Sequence, residues 1–159
     1  HERSSAASDV YKRQFYKVLR KISFSKTINE NFSKVYEQVA NFENYYLYIP
    51  GCSSSRLIEK NDDFEIGELE FSFMLKSYSI KSKNILLDRV INIEQIEGPF
   101  DLFNCKWILY QVDDDLTEIT FESDFKLPFL LNKLVSDELL NIFLEKALEA
   151  FIKRLSNDK

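Results

Sequence analysis

The residues best placed for chemistry lie in the stretch YIPGCSSSR, residues 48–56, where Cys52 is followed by three serines and Arg56. Such a loop could hold a catalytic thiol, cradle a phosphate, or form a corner between two elements. A catalytic cysteine is normally activated by a histidine, and a phosphate loop needs several glycines. The stretch has one glycine and no histidine. We therefore expect an architectural corner, with a ligand-gating corner and a catalytic cysteine as alternatives.

The counts of metal-binding and nucleophilic residue types exclude several classes of site. The only histidine is His1, and the only cysteines are Cys52 and Cys105. A Ser-His-Asp triad or a Cys-His dyad needs a histidine inside the domain, and a zinc site usually takes three or four ligands. Two cysteines are too few for a disulfide framework, and we expect both to be buried. No metal site and no catalytic residue are predicted.

Length, composition and charge describe one aromatic-rich domain. The chain has 159 residues, 14 Phe and 8 Tyr beside 3 Gly, and a formal charge of −5. That length suits one domain with a sizeable core, and the negative charge disfavours non-specific binding to nucleic acid. No apolar run approaches the roughly 18 residues of a membrane span.

The first residues, HERSSAASDVYKRQ, differ in character from the rest of the chain. They contain no hydrophobic core of the kind that a signal peptide requires, and they resemble translated adapter sequence. We expect residues 1–14 to be a non-native extension and residues 15–157 to form the single domain, with part of the true N-terminus missing.

The segment before residue 50 reads as a strand followed by two short helices. Residues 15–25 alternate in polarity, with Arg20 breaking the apolar face, and predict a first strand. A helical period follows, with Asn29 or Asn31 as N-cap. Its apolar positions are Phe32, Val35, Tyr36 and Val39. A short aromatic helix or turn, ENYYLYI, then ends at Pro50.

The middle of the chain alternates with a period of two, which predicts an antiparallel sheet with one face in water. The apolar face consists of Leu69, Phe71, Phe73 and Leu75, then Ile91 and Ile93, then Phe103, Cys105, Trp107 and Leu109, and finally Ile119, Phe121, Ser123 and Phe125. The linkers KNDD, EGP and DDD suit hairpin turns.

Residues 130–156 predict one long amphipathic helix. Its apolar stripe contains Leu140, Leu144, Ala147, Phe151 and Leu155, widened by Leu139, Phe143 and Leu148. A one-sided sheet must bury its apolar face, and this helix is the only element long enough to cover it. The predicted fold class is therefore α+β, a curved antiparallel sheet of about seven strands wrapped on the C-terminal helix. Such a fold commonly leaves a cavity for an apolar ligand.

Three stretches carry a resemblance to a known family. VYEQVANFENYYLYIPGCSSSRLIEK resembles the first motif of the coenzyme Q-binding START-like proteins, within the polyketide cyclase/dehydrase superfamily. EGPFDLFNCKW resembles their second motif, and FESDFKLP with AFIKR resembles their closing strand and helix. The resemblance spans about residues 15–155 and implies the START-like helix-grip fold.

The resemblance also implies a function. It implies a protein that is not an enzyme and that binds or carries ubiquinone, or a similar isoprenoid lipid, in support of respiration and quinone biosynthesis. Ubiquinone would be a bound ligand rather than a catalytic cofactor. The superfamily also includes the bacterial ribosome association toxins, so blocking the joining of ribosomal subunits is the alternative. Quinone carriage implies a place in the cytoplasm at the inner membrane, or on the matrix side of a mitochondrion.

We expect the ligand to contact one set of residues on the corner, the sheet and the terminal helix. This set is Pro50, Phe71, Phe73, Ile91, Ile93, Phe100, Trp107, Phe121, Phe143 and Leu144. Two of its members have a rival interpretation: Phe100 can belong to a plain hairpin turn, and Trp107 can be ordinary core.

Two surface features remain open. The apolar residues Phe129, Leu130 and Leu134 precede the terminal helix and are either buried or form a lip that touches a membrane. The lysines Lys76, Lys81 and Lys83 are either a solvated strand face or a small basic cluster for anionic lipid or ribosomal RNA.

Overall fold

The computed structural model describes residues 19–157, so the predicted extension at residues 1–14 and the start of the first strand lie outside the described residues. The strands are β1 Leu19–Ile28, β2 Cys52–Lys60, β3 Glu65–Phe73, β4 Lys76–Leu86, β5 Val90–Glu97, β6 Leu102–Asp113 and β7 Leu116–Lys126. The helices are α1 Phe32–Ala40, a 3-10 helix Phe42–Leu47, α2 Phe129–Leu134 and α3 Asp137–Asn157.

The seven strands form one antiparallel sheet in the order β1-β7-β6-β5-β4-β3-β2. Strands β2 to β7 are joined to their sheet neighbours by short turns, whereas β1 pairs with β7 along its length, from Leu19 opposite Lys126 to Ile28 opposite Thr117. The chain between β1 and β2 holds the two short helices. The predicted α+β class, strand number and element order are confirmed.

The predicted apolar parity is confirmed on almost every strand. On β7, Ile119 and Phe125 are buried and Phe121 is half-buried, while Glu118 and Glu122 on the other face are exposed. The aromatic residues of this face contact one another and the terminal helix. The Trp107 ring centroid lies 4.9 Å from that of Phe121 and 6.0 Å from that of Phe151, on which it stacks.

The two short helices are fixed by a side-chain cap and a close packing contact. Asn31 caps α1, since its side-chain oxygen accepts a hydrogen bond from the backbone N–H of Lys34 at 2.9 Å. Phe42 opens the 3-10 helix and lies over Gly67 of β3, where an added Cβ would lie 2.4 Å from the phenyl ring. Glycine at this position therefore lets the helix approach the sheet.

The prediction of one unbroken C-terminal helix is wrong at its start. Val135 has an extended backbone and ends α2, and the Ser136 hydroxyl then accepts a hydrogen bond from the backbone N–H of Leu139 at 3.1 Å. Asp137 and Glu138 occupy the first turn of α3, where negative charge stabilises the helix dipole. The break separates a short helix at one end of the sheet from the long helix that crosses it.

The predicted inward position of Leu75 is also wrong. Met74 and Leu75 form the two-residue turn between β3 and β4, and Leu75 is fully exposed. The strand alternation ends at Phe73 because the chain reverses direction directly after it.

Candidate functional site

An apolar cavity of about 100 Å³ lies between one end of the sheet and the start of α3. Its wall is made of side chains from β3, β4, β7, the β5–β6 turn, α2 and α3. They are Phe71, Phe73, Tyr78, Pro99, Phe100, Phe125, Leu127, Leu131, Val135, Leu140 and Phe143. A cavity with such a wall retains apolar groups, because it offers contact area and few hydrogen-bonding partners.

Aromatic pairs hold this wall in shape. Phe73 meets Phe143 of α3 edge to face, with ring centroids 6.2 Å apart, and Phe71 stacks on Tyr78 at 5.5 Å. Phe100 meets Phe125 edge to face at 6.0 Å. Edge-to-face and offset pairs are the favoured aromatic geometries, so the sheet and α3 are held by matched rings around the empty space.

Gln95 positions Phe100 at the rim of the cavity. The Gln95 side-chain amide donates to the Phe100 carbonyl oxygen at 2.8 Å, and its side-chain oxygen accepts from the Phe100 backbone N–H at 3.3 Å. Gly98 leaves room for this clamp, because an added Cβ would lie 2.3 Å from the Gln95 side-chain oxygen. This role of Gln95 could not be predicted from the sequence. Gln95 stands at an ordinary polar position of an alternating strand, and nothing there indicates a contact with Phe100.

The cavity adjoins a second, wider apolar groove on the surface. This groove measures about 580 Å³ and shares Tyr78, Pro99 and Leu131 with the cavity wall. Its outer rim consists of Met74, Lys76, Pro128, Leu130 and Leu134. The space under α3 and the surface groove between the β3–β4 turn and α2 are therefore neighbours that share part of their wall.

Four of the ten residues predicted to contact a ligand line the cavity. They are Phe71, Phe73, Phe100 and Phe143. Leu131, Val135 and Leu140 also line the cavity, and the sequence did not indicate this. Their position depends on the helix break at Ser136, which decides the part of the sheet that each helix covers.

The other six predicted contact residues do not line the cavity in this structure. Ile91, Ile93, Trp107 and Phe121 lie in the other half of the interior, where α1 and the end of α3 fill the space above the sheet. Pro50 is exposed at its corner, and Leu144 is half-buried on α3. Contact between these residues and a ligand stays a prediction.

Three apolar residues of the segment before α3 are exposed, which excludes the interpretation that they are buried. Phe129, Leu130 and Leu134 are exposed at 66, 75 and 63% of their surface, so they are not core residues. Within residues 129–135, Leu131 and Val135 line the cavity instead. Contact of the exposed three with a membrane stays a prediction.

The stretch containing Cys52 forms a corner. Gly51 has a φ of +82°, a conformation that side chains with a Cβ disfavour, and its carbonyl oxygen accepts a hydrogen bond from Ser72 N–H at 2.8 Å. Cys52 then begins β2 opposite Phe71. Burial raises the pKa of the Cys52 thiol, which makes it a weaker nucleophile at neutral pH.

The second cysteine is buried in the sheet. Cys105 donates a hydrogen bond from its thiol to the Ser123 hydroxyl at 3.2 Å, and burial raises its pKa to about 12. A thiol held in this way stays protonated at neutral pH and serves as a small core residue. Within residues 19–157, no group of three His, Cys, Asp or Glu side chains is arranged to hold a metal ion.

The three lysines of β4 have different neighbours. Lys76 borders the apolar groove, with its ammonium group 5.5 Å from the Tyr78 ring centroid. Lys81 pairs with Glu97 at 3.8 Å, and Lys83 lies over the Phe64 ring at 4.7 Å. Lys83 also lines a groove of about 520 Å³ on the other sheet face, whose rim mixes basic residues with acidic ones. Contact of these lysines with anionic lipid or ribosomal RNA stays a prediction.

Comparisons with known proteins agree with this architecture. A family model described as polyketide cyclase / dehydrase and lipid transport matches residues 28–152. The ribosome association toxin RatA of Rickettsia prowazekii is 28% identical over 127 residues, which cover 76% of this chain and 86% of the toxin. Within residues 19–157, no helix has the length and apolar character needed to cross a membrane.

Solved structures show the same fold. The Zhui aromatase/cyclase from a Streptomyces species superposes with a TM-score of 0.77 at 17% identity, covering 87% of this chain and 94% of the enzyme. A START superfamily protein from Mycobacterium smegmatis superposes with a TM-score of 0.75 at 13% identity, covering 87% of this chain and 99% of that protein. At these identities the likeness concerns the fold alone, and it confirms the predicted START-like helix-grip architecture.

Proposed function

Since this chain belongs to the polyketide cyclase/dehydrase and lipid transport family, we propose that it binds a long apolar lipid and carries it unchanged. The ligand of this proposal is ubiquinone or a similar isoprenoid lipid, held between the sheet and α3. The observation that carries the proposal is that the apolar cavity lies next to the apolar surface groove and shares Tyr78, Pro99 and Leu131 with it.

The sizes of the two spaces define how such a ligand would fit. Pockets for small ligands measure about 300–1,000 Å³, and an apolar cavity of about 150 Å³ holds one benzene molecule. The cavity of about 100 Å³ is smaller than either. A ligand must therefore widen the cavity, and the groove of about 580 Å³ offers room for the rest of an isoprenoid chain.

Helix α2 is the element that can move to admit a ligand. It has only six residues, and its Leu131 separates the cavity from the groove. By contrast, α3 spans 21 residues and is held by aromatic pairs at Phe143 and Phe151. Displacement of α2 alone would join the two spaces and leave the sheet and α3 in place.

The chemistry of the wall supports retention more than reaction. General acid–base catalysis needs an ionisable group within hydrogen-bond reach of the reacting atom. The wall is built from Phe, Leu, Pro, Val and one tyrosine, Tyr78. Burial of apolar surface contributes about 25 cal/mol per Å² before ordering costs, so a long isoprenoid chain gains affinity from length rather than from specific polar contacts.

Lipid extraction of the purified protein followed by mass spectrometry tests this function. We expect an isoprenoid quinone in extracts of the unaltered protein and none in extracts of Phe73→Asp, because an unpaired carboxylate in the apolar cavity opposes binding. Phe73→Leu keeps the wall apolar and should retain lipid. Ile142→Asp, on the exposed face of α3, is the matched control for the added charge.

The outcomes of the extraction separate carriage from catalysis. Equal amounts of lipid with Phe73→Asp and the unaltered protein would overturn the proposed site. Recovery of a quinone that has been chemically altered would instead favour an enzyme, in keeping with the aromatase/cyclase that shares the fold.

A ribosomal role is the second candidate, and the names of several relatives favour it. Proteins described as the ribosome association toxin RatA are 20–28% identical to this chain. Binding to ribosomal RNA would weaken steeply with salt. Co-sedimentation with large ribosomal subunits tests it, and Lys81→Gln with Lys83→Gln should reduce the sedimenting fraction if β4 makes the contact. Absence of co-sedimentation at low salt would remove this candidate.

A further inference from the structure

The turn between β3 and β4 contains two residues that do not suit its backbone. Met74 and Leu75 both have positive φ, 52° and 64°. A two-residue hairpin turn with positive φ at both positions normally contains Asn-Gly, because residues with larger side chains disfavour this conformation. The backbone of this turn is therefore more strained with Met74 and Leu75 than it would be with Asn-Gly.

Packing does not offset this strain. Leu75 has a relative exposure of 108%, and Met74 is exposed at 47%. A leucine that extends fully into water contributes nothing to the core, and it leaves apolar surface that favours another environment. Residues that hold an unfavourable backbone conformation and add nothing to the stability of the fold are expected at functional sites.

The turn faces α2 across the apolar groove. Met74 and Lys76 form one side of the groove, and Leu130 and Leu134 form the other. Phe129, Leu130 and Leu134 of α2 are exposed as well. Two separate segments thus present large apolar side chains at the same end of the sheet, on either side of the groove beside the cavity.

We propose that the tip of the β3–β4 hairpin and helix α2 insert together into an anionic phospholipid surface. The hairpin contributes Met74 and Leu75, and α2 contributes Phe129, Leu130 and Leu134. This insertion gives the apolar groove direct access to the hydrocarbon layer. The role in loading and unloading a lipid rests on the proposed function above, whereas the attachment itself does not.

The lysines at the rim identify a phospholipid surface as the occupant. Lys76 borders the groove beside the hairpin tip, and the Lys133 ammonium group lies 4.3 Å from the Phe129 ring centroid. Lysines beside apolar side chains can place their charge at the headgroups while the apolar groups enter the interface. Each contributes attraction to an anionic membrane. The net charge of −5 opposes that attraction, so attachment should be weak and reversible.

Replacing the strained turn by its ideal sequence tests the insertion. Met74→Asn with Leu75→Gly should raise the midpoint of thermal unfolding by a few degrees, because it relieves backbone strain. The same variant should lose at least about tenfold in partitioning to vesicles of phosphatidylcholine with phosphatidylglycerol, because two apolar side chains no longer enter the interface. If the turn had only a structural role, a gain in thermal stability would not be accompanied by a loss of vesicle binding.

Further variants test α2 and the lysines. Phe129→Ser with Leu130→Ser should also weaken vesicle binding while thermal stability hardly changes. Lys76→Gln with Lys133→Gln should reduce binding to anionic vesicles by about fivefold per lysine and leave the weak binding to pure phosphatidylcholine unchanged. Leu87→Ser, exposed in the β4–β5 turn at the opposite end of the sheet, is the matched control and should bind as the unaltered protein does.

The outcomes distinguish this inference from the proposed function. Unaltered protein that does not bind anionic vesicles, or equally strong binding by Met74→Asn with Leu75→Gly, would overturn the insertion. A change of sedimentation mass in the variants with vesicle binding unchanged would overturn it in favour of a second copy of the chain on this surface. Vesicle binding without any extractable lipid would support the insertion and contradict the proposed cargo.

Discussion

The guanidinium group of Arg20, on β1, donates a hydrogen bond to the carbonyl oxygen of Val135 at 2.6 Å. Val135 is the residue at which α2 ends, and Arg20 also pairs with Asp137 in the first turn of α3 at 2.5 Å. Its side chain is only 13% exposed and lies over the Phe125 ring at 5.8 Å. One arginine of the edge strand therefore fixes the break between the two helices above the cavity.

Removal of this anchor should loosen α2 more than the rest of the fold. In Arg20→Gln, the Val135 carbonyl and the Asp137 carboxylate lose their charged partner, which costs about 1–3 kcal/mol of stability. We expect faster hydrogen–deuterium exchange of the α2 amides and faster release of bound lipid. Lys21→Gln, which removes an exposed ion pair with Asp124, is the matched control. Unchanged exchange across α2 in Arg20→Gln would show that the helix is held by its apolar contacts alone.

The contact between Gly67 and Phe42 leads to a second prediction. An added methyl group at Gly67 would lie 2.4 Å from the Phe42 ring, which is buried. Gly67→Ala should therefore lower the free energy of unfolding by about 1–3 kcal/mol in a denaturant titration. The double variant with Phe42→Leu should recover part of this loss, because the smaller side chain makes room. Ser72→Ala, at an exposed position of β3, is the control and should leave the free energy of unfolding nearly unchanged. If it lowered the free energy of unfolding as much as Gly67→Ala does, the strand would be sensitive to substitution in general.

The buried Cys105 thiol predicts a dependence of stability on pH. Its pKa is about 12 in the folded state because burial disfavours the thiolate, whereas an unfolded cysteine has a pKa of about 8.5. The folded state therefore binds more protons between these values, and stability is full below the unfolded pKa and falls as pH rises towards the folded pKa. The contribution has a limiting slope of about 1.4 kcal/mol per pH unit.

A comparison with Cys105→Ala isolates this contribution. Denaturant unfolding at about pH 8 and about pH 10 should show a smaller loss of stability in the variant than in the unaltered protein. Tyr45, whose pKa is also raised by burial, titrates in both proteins and cancels in the comparison. Equal losses in the two proteins would contradict the assignment to Cys105.

The strands and their inward faces could be predicted because each depends on local alternation. The polar and apolar residues of β7 keep strict alternation, so the burial of Ile119 and Phe125 follows from the pattern itself. Asn31 was predicted as one of two possible caps for the same reason. Arg20 was recognised as an interruption of the apolar face, but its partners lie 115 and 117 residues away and have no local signal.

The position of the cavity could not be predicted, because it depends on how the helices cross the sheet. The break at Ser136 sends α2 over one end of the sheet and leaves the rest of the interior to α1 and α3, where Ile91 is buried and Trp107 packs against the same cluster. The sequence Ser-Asp-Glu, a good helix start, was a signal for this break. The turn at Leu75 had no such signal, since neither of its residues favours a turn.

Photo-crosslinking with a photoactivatable isoprenoid quinone tests the central claim most directly, because it reports both the ligand and its position. The purified protein is irradiated with the probe, and the labelled peptides are mapped by mass spectrometry. Apolar binding between the sheet and α3 predicts label on Phe73, Leu131 and Phe143, competed by unlabelled ubiquinone and lost in Phe73→Asp. Label confined to the groove on the other sheet face, or label at Leu131 and Phe143 that persists in Phe73→Asp, would contradict it.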